Sequence, residues 1–137
     1  MAKEFWISLP VKDVDRSRKF FTALDFTFNT QQGNSASSAC LLAGDKNVVV
    51  MLFDEPSFKS FTGSGITDTA TSAEVLLSIS AGSVAEVDAL IQKAVQAGGK
   101  STHMPGEMKG WLYGAVFSDL DGHRWNVLYM DNSRMPK

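Results

Sequence analysis

The sequence predicts an α+β fold made of two small sheets, each with one helix. Three observations carry this. Short stretches of alternating apolar and polar residues recur along the chain and mark strands. Two segments with apolar residues at helical spacing, each opened by a capping residue, mark helices. The order strand–helix–strand–strand–strand occurs twice, with a stretch rich in Thr, Ser and Gly between the copies. Two such sheets side by side would give a curved surface with a concave, helix-free cleft.

In the first half, residues 4–11 alternate, with Phe5, Ile7, Leu9 and Val11 on one face and Trp6, Ser8 and Pro10 on the other. Asp13 is the expected N-cap of a helix over 14–24, whose buried stripe is Val14, Phe20, Phe21 and Leu24. Strands follow at 26–30, 37–42 and 47–53, the last rich in β-branched residues. Residues 55–61 read as a short helix. Residues 62–72 read as an exposed connection with Ile66 its one large apolar residue.

The second half repeats the order. Residues 74–80 alternate, with Val75, Leu77 and Ile79 on one face. Ser83 and Glu86 have the spacing of a capping box. The helix over 84–97 carries Val84, Val87, Leu90, Ile91, Ala94 and Val95 at helical spacing, and Gly98-Gly99 ends it. Residues 100–103 open a strand and 104–110 read as a loop. Strands at 111–118 and 124–130 flank the turn Asp119-Leu120-Asp121-Gly122. Setting Val11 on Ile79 aligns the halves and puts Leu9 on Leu77, Ile7 on Val75 and Trp6 on Glu74. The 137 residues are thus read as one domain: module one about 3–54, a connection about 55–72 and module two about 73–131.

Composition removes several classes of function. A net charge of −2 offers no basic footprint for nucleic acid. No apolar run has the length of a membrane span, and the first residues lack a signal-peptide core. Cys40 is the sole cysteine, so no disulfide forms within the chain, which fits a cytoplasmic protein.

Three stretches carry a resemblance. They are Leu9-Pro10-Val11-Lys12-Asp13-Val14-Asp15-Arg16-Ser17 with Phe20-Phe21, the helix end Ala97-Gly98-Gly99, and Asp119-Leu120-Asp121-Gly122-His123-Arg124-Trp125. Together they resemble the vicinal oxygen chelate superfamily of glyoxalase I, bleomycin-resistance proteins and extradiol dioxygenases. Val75-Leu76-Leu77-Ser78, Trp111-Leu112-Tyr113-Gly114 and Gly122-His123-Arg124-Trp125 look most similar to its predicted lactoylglutathione lyases. Leu120 stands where the family turn usually has Pro.

The resemblance implies paired βαβββ modules, often in homodimers, with a divalent metal on the concave face. It draws one His or Glu from the first and last strand of each module. The matching slots here are Trp6, Met51, Glu74 and Asn126. Only Glu74 is an ordinary hard-cation ligand. Trp6 cannot ligate, Met51 suits soft metals, and Asn126 offers one neutral carbonyl. No metal site is therefore expected, and no cofactor; a divalent metal remains the less favoured alternative.

Candidate ligand-binding residues are Trp6, Ser8, Met51, Phe53, Leu76, His103, Trp111, Tyr113 and Asn126. Trp6, Phe53 and Trp111 are either packing residues or aromatic walls for a flat ligand. Glu74 is either an exposed strand-edge carboxylate or a buried base. Tyr113 points either into the core or into the pocket. His103 opens a loop placed to cover the cleft. His123 is read as a turn residue, Trp125 as core, Cys40 as an inert small hydrophobe, and Arg16, Arg18 and Lys19 as a solvated helix face. Three functions follow. One is a metal-free homodimer that binds a small molecule as resistance proteins do. Another is a glyoxalase-like lyase or isomerase using Glu74 as base or ligand. The last is an interaction module without catalysis.

Overall fold

The computed structural model describes residues 1–136, and leaves the side chains of His103, Met104 and Met108 outside the described residues. The chain divides into two compact units, one running from Met1 to Asp68 and the other from Thr69 onward. The division falls within the polar connection.

The first unit holds β1 (Ile7–Val11), α1 (Val14–Ala23), β2 (Thr27–Asn29), β3 (Ser38–Ala43), β4 (Val48–Asp54) and α2 (Glu55–Thr62). Its sheet has the order β1-β4-β3-β2, with β1 parallel to β4 and the other pairs antiparallel. The second unit holds β5 (Leu76–Ser80), α3 (Val84–Gln96), β6 (Lys100–Lys109), β7 (Leu112–Ser118) and β8 (Arg124–Met130). Its sheet repeats the arrangement as β5-β8-β7-β6, again with one parallel pair, β5 with β8. The mixed α+β class with a repeated βαβββ order is as expected.

α1 and α3 each cover one face of their sheet, and alternation decides which residues they bury. On the first sheet these are Leu9, Val11, Ala39, Leu41, Val50 and Leu52, against Val14, Phe20, Phe21 and Leu24 of the helical stretch. On the second they are Leu77, Ala115, Phe117, Trp125 and Val127, against Val87, Ile91 and Ala94 of α3. Trp125 is 1% exposed and stacks on Phe117 with ring centroids 6.2 Å apart.

α1 and α3 end in the same way. Behind α3, Gly98 takes φ +106°, its N–H bonds the Val95 carbonyl, and the Gly99 N–H bonds that of Ala94. Behind α1, Asp25 takes φ +66°, its N–H bonds the Thr22 carbonyl, and the Phe26 N–H bonds that of Phe21. Both are Schellman motifs, and the Phe21–Phe26 ring pair, centroids 5.4 Å apart, supplies the hydrophobic contact that accompanies one. Aspartate does at the first site what glycine does at the second, so composition hides the first.

Several elements differ from expectation. β1 starts at Ile7, and Phe5, expected on its apolar face, is 81% exposed. The expected loop at 104–110 is a continuation of β6, which pairs with β7 through three register shifts. Such bulges let a strand carry Pro105 and Gly106 without losing its partner. Trp111 lies in the turn between β6 and β7. Val84 and Val95 of α3 are exposed. Ser83 accepts from the Glu86 N–H as a cap should, but the Glu86 carboxylate reaches back to the N–H of Gly82, not to that of Ser83. Among the described residues no helix is long and apolar enough to cross a membrane.

Candidate binding face

The N-caps fix how the two repeats correspond. Asp13 accepts from the Arg16 N–H and Ser83 from the Glu86 N–H, each at 3.1 Å, and the caps stand seventy positions apart. Strand pairing gives the same interval: Ser8 lies beside Met51 in β4, and Ser78 beside Asn126 in β8. The repeat therefore aligns at seventy residues and not at the sixty-eight that set Val11 on Ile79. The position equivalent to Trp6 is Leu76. Glu74 drops out of the slot; it lies exposed, two residues before β5 begins.

The helix-free face of the second sheet is built by alternation from Leu76 and Ser78 of β5, Asn126 and Leu128 of β8, and Val116 of β7. Asn126 donates from Nδ2 to the Ser78 hydroxyl across 3.4 Å, a long and weak bond. Its carbonyl oxygen carries no hydrogen bond among the described residues. Leu76 is 57% exposed beside this pair. The face thus presents one amide and one hydroxyl, both with spare bonding capacity, on an apolar ground.

On the first sheet the face that α1 leaves open carries Ser8, Pro10, Cys40, Met51 and Phe53. Trp6 lies immediately before β1 and is 53% exposed, so each repeat exposes a large apolar side chain at the same position. Phe53 packs edge-on against Phe61 of α2, with ring centroids 5.0 Å apart. The loop at 30–37 lies over Met51 and Cys40 through Gly33.

Tyr113 belongs to the other face. It pairs with Tyr129, on the α3 side of the sheet, and its hydroxyl donates to Asp88 Oδ1 of α3 at 2.6 Å. That hydrogen bond to Asp88 pushes the phenol above its ordinary range. Tyr113 therefore does not contribute to the helix-free face. Trp111 is half-buried in its turn, and its carbonyl accepts from the Asp131 N–H. The His103 side chain, expected near a ligand, lies outside the described residues; its backbone belongs to β6.

The Asp119–Gly122 turn is structural. Asp119 is 6% exposed; its Oδ1 accepts from the Asp121 and His123 N–H groups, and its Oδ2 from the Trp125 indole at 3.1 Å. Burial pushes its carboxyl above the usual range, against the His123 charge and the indole bond, which pull it down. Gly122 at φ +83° has no room for a Cβ beside Thr69, whose hydroxyl donates to the Asp121 carbonyl. Arg124 Nη1 bonds the Thr69 carbonyl at 2.9 Å and ties the connection to the turn.

Arg18 corrects another expectation. It is no solvated helix cation: its Nη2 bonds Asn34 Oδ1 and the Ser35 and Ser38 carbonyls, and its Nη1 bonds Asp15.

A family model for the Glyoxalase/Bleomycin resistance protein/Dioxygenase superfamily matches residues 5–127. The chain belongs to that superfamily. It is similar to a hypothetical protein from S. aureus at 31% identity and a TM-score of 0.83, covering 94% of each chain. A glyoxalase-related enzyme from Fulvimarina pelagi shares the fold at 16% identity and a TM-score of 0.79, over 94% of this chain and 88% of that one. So does a glyoxalase/bleomycin resistance protein/dioxygenase family enzyme from Burkholderia phytofirmans, at 16% identity and a TM-score of 0.77, over 91% and 96%. No curated protein matches the chain.

The residues do not fit the divalent metal that the family implies. With the repeat aligned by its caps, the four slots hold an indole, a thioether, an alkyl group and one neutral amide. A catalytic ion of this kind takes about three protein donors of N, O or thiolate type. No group of three His, Cys, Asp or Glu placed to hold an ion occurs among the described residues.

Proposed function

We propose that this chain binds a small, largely apolar molecule on the helix-free face of its second sheet, without a metal. The observation that carries it is the Ser78–Asn126 pair, a weak 3.4 Å contact on an apolar face beside exposed Leu76. The contact is solvent-exposed, so water meets the spare donor and acceptors of this pair until a ligand displaces it. A ligand with one carbonyl or hydroxyl could take up the unused capacity of Asn126 while its apolar part covers Leu76, Val116 and Leu128. Such a mix, mainly apolar with few polar groups, is what small-molecule sites present. Association of two copies, as the resemblance implies, is part of the proposal.

A thermal-shift screen of aromatic and aliphatic carbonyl compounds tests it. A hit should stabilise the wild type and lose its effect in Asn126→Ala. A broad set that yields no stabilising compound, or hits indifferent to Asn126→Ala, would overturn it. The lyase or isomerase reading rests on Glu74, and the cap-based alignment removes its main support.

A further inference from the structure

We propose that residues 30–37 form a lid, latched by Arg18, over the Met51–Cys40 patch on the face of the first sheet that α1 leaves open. The lid lies close. A methyl built on Gly33 would stand 3.1 Å from Met51 Cε and 3.2 Å from Cys40 Cβ, and Gly33 takes φ +68°. Glycine meets both demands, a left-handed backbone and a close approach. Beneath it Cys40 is 5% exposed although it sits on the face that α1 does not cover, and Met51 is half-buried.

Arg18 reaches from α1 to the lid. Its Nη2 donates to Asn34 Oδ1 at 2.7 Å, to the Ser35 carbonyl at 2.6 Å and to the Ser38 carbonyl at 2.7 Å. These are charge-assisted bonds, stronger than neutral ones. The lid is also tied to β3 at Ser38, whose hydroxyl donates to the Gly33 carbonyl at 3.1 Å and lies 2.8 Å from that of Ser35. Its residues 30–36 are all exposed, so little apolar burial holds it down. The Arg18 Nε is buried with no partner among the described residues, and this cost opposes the latch. A short exposed segment held by Arg18, by Ser38 and by the Ser35–Ser38 and Asp54–Ser37 backbone bonds, with little apolar burial, is the kind of element that opens without global unfolding. Opening admits small molecules to Met51 and Cys40. This inference stands whether or not the second sheet binds a ligand.

Cys40 is its own reporter, since it is the sole cysteine. The probe is a small aromatic disulfide that reacts with exposed thiols, followed by absorbance on the folded protein. Arg18→Met keeps the apolar stem and should raise the Cys40 reaction rate about tenfold, the effect of losing a charged hydrogen-bond set. Asn34→Ala removes one bond from the lid side and should raise it less. Ser83→Ala loosens the α3 cap and should leave the rate unchanged. Equal rates in wild type, Arg18→Met and Asn34→Ala would overturn the lid. So would an equal rise in Ser83→Ala, because Cys40 would then be reached only by global unfolding.

Discussion

The Asn126 amide and the Ser78 hydroxyl meet at 3.4 Å on the sheet face that α3 leaves open. Asn126 stands in a slot that the resemblance gives to a metal ligand, and a neutral amide is a poor one; Ser78 is its neighbour in β5. The pairing of β5 with β8 sets them side by side, and the Ser83 cap fixes which residue of β5 the family slot is.

That slot assignment can be tested by building the missing donors. Leu76→His with Asn126→Glu places two ligand types on diagonal neighbours across β5 and β8. The double variant should bind zinc at least about tenfold more tightly than wild type by calorimetry. Adding Glu74→Gln should not change that affinity. If Glu74→Gln abolishes it, the repeat aligns at sixty-eight residues after all.

The paired Schellman motifs make different forecasts for stability. Gly98→Ala should cost about 1–2 kcal/mol, the penalty of a left-handed β-carbon. Crowding adds to it, since that carbon would sit 3.1 Å from Leu120 Cδ2. Asp25→Gly removes a left-handed β-carbon at the equivalent site and should be far better tolerated than Gly98→Ala. Urea unfolding of both variants checks the pair.

Asp119 anchors the turn and the core indole together. Asp119→Ala leaves the Trp125 N–H and two backbone N–H groups without their acceptor, and should cost about 2–4 kcal/mol. Its pH signature has a definite sign. Because burial raises the folded carboxyl above 3.8, the folded state holds this proton more tightly than the unfolded chain does. The associated stability is full below pH 3.8 and is lost as pH rises through the folded value. Relative to Asp119→Asn, the wild type should therefore be most stable at the acid end and decline from there. The stability difference between the two proteins, followed by denaturant unfolding at several pH values, should show that slope; a rise with pH contradicts it.

The Tyr113 phenol, bonded to Asp88, should ionise above its ordinary range in an ultraviolet absorbance titration. Asp88→Asn removes the bond's charged acceptor and should bring the ionisation down. Tyr113→Phe identifies which of the two tyrosines is responsible. No shift in Asp88→Asn would detach Tyr113 from α3.

Much of the fold was legible because it rests on periodicity. Phe20, Phe21 and Leu24 and the alternating residues of β1, β5 and β8 announce their faces, and Asp13 and Ser83 announce their helices. The slot was legible too, by counting seven residues back from Ser83 to Leu76 as from Asp13 to Trp6. The apolar strand residues alone do not fix the alignment, since a shift of two keeps every side chain on its own face. Other features depend on contacts far apart in sequence. The Arg18 latch spans up to twenty residues and the Thr69–Asp121 bond fifty-two. Ser78 becomes a site residue only through its register with Asn126. The length of β6 was hidden by Pro105 and Gly106, which signal a loop unless a partner strand absorbs them as bulges.

The most direct measurement is the metal content of the purified wild-type protein after exposure to zinc, nickel, manganese, iron and magnesium and removal of unbound ions. The account predicts far less than one ion per chain for each metal, with no change in Glu74→Gln. About one ion per chain, lost in Glu74→Gln or Asn126→Ala, would contradict it and restore these residues as ligands.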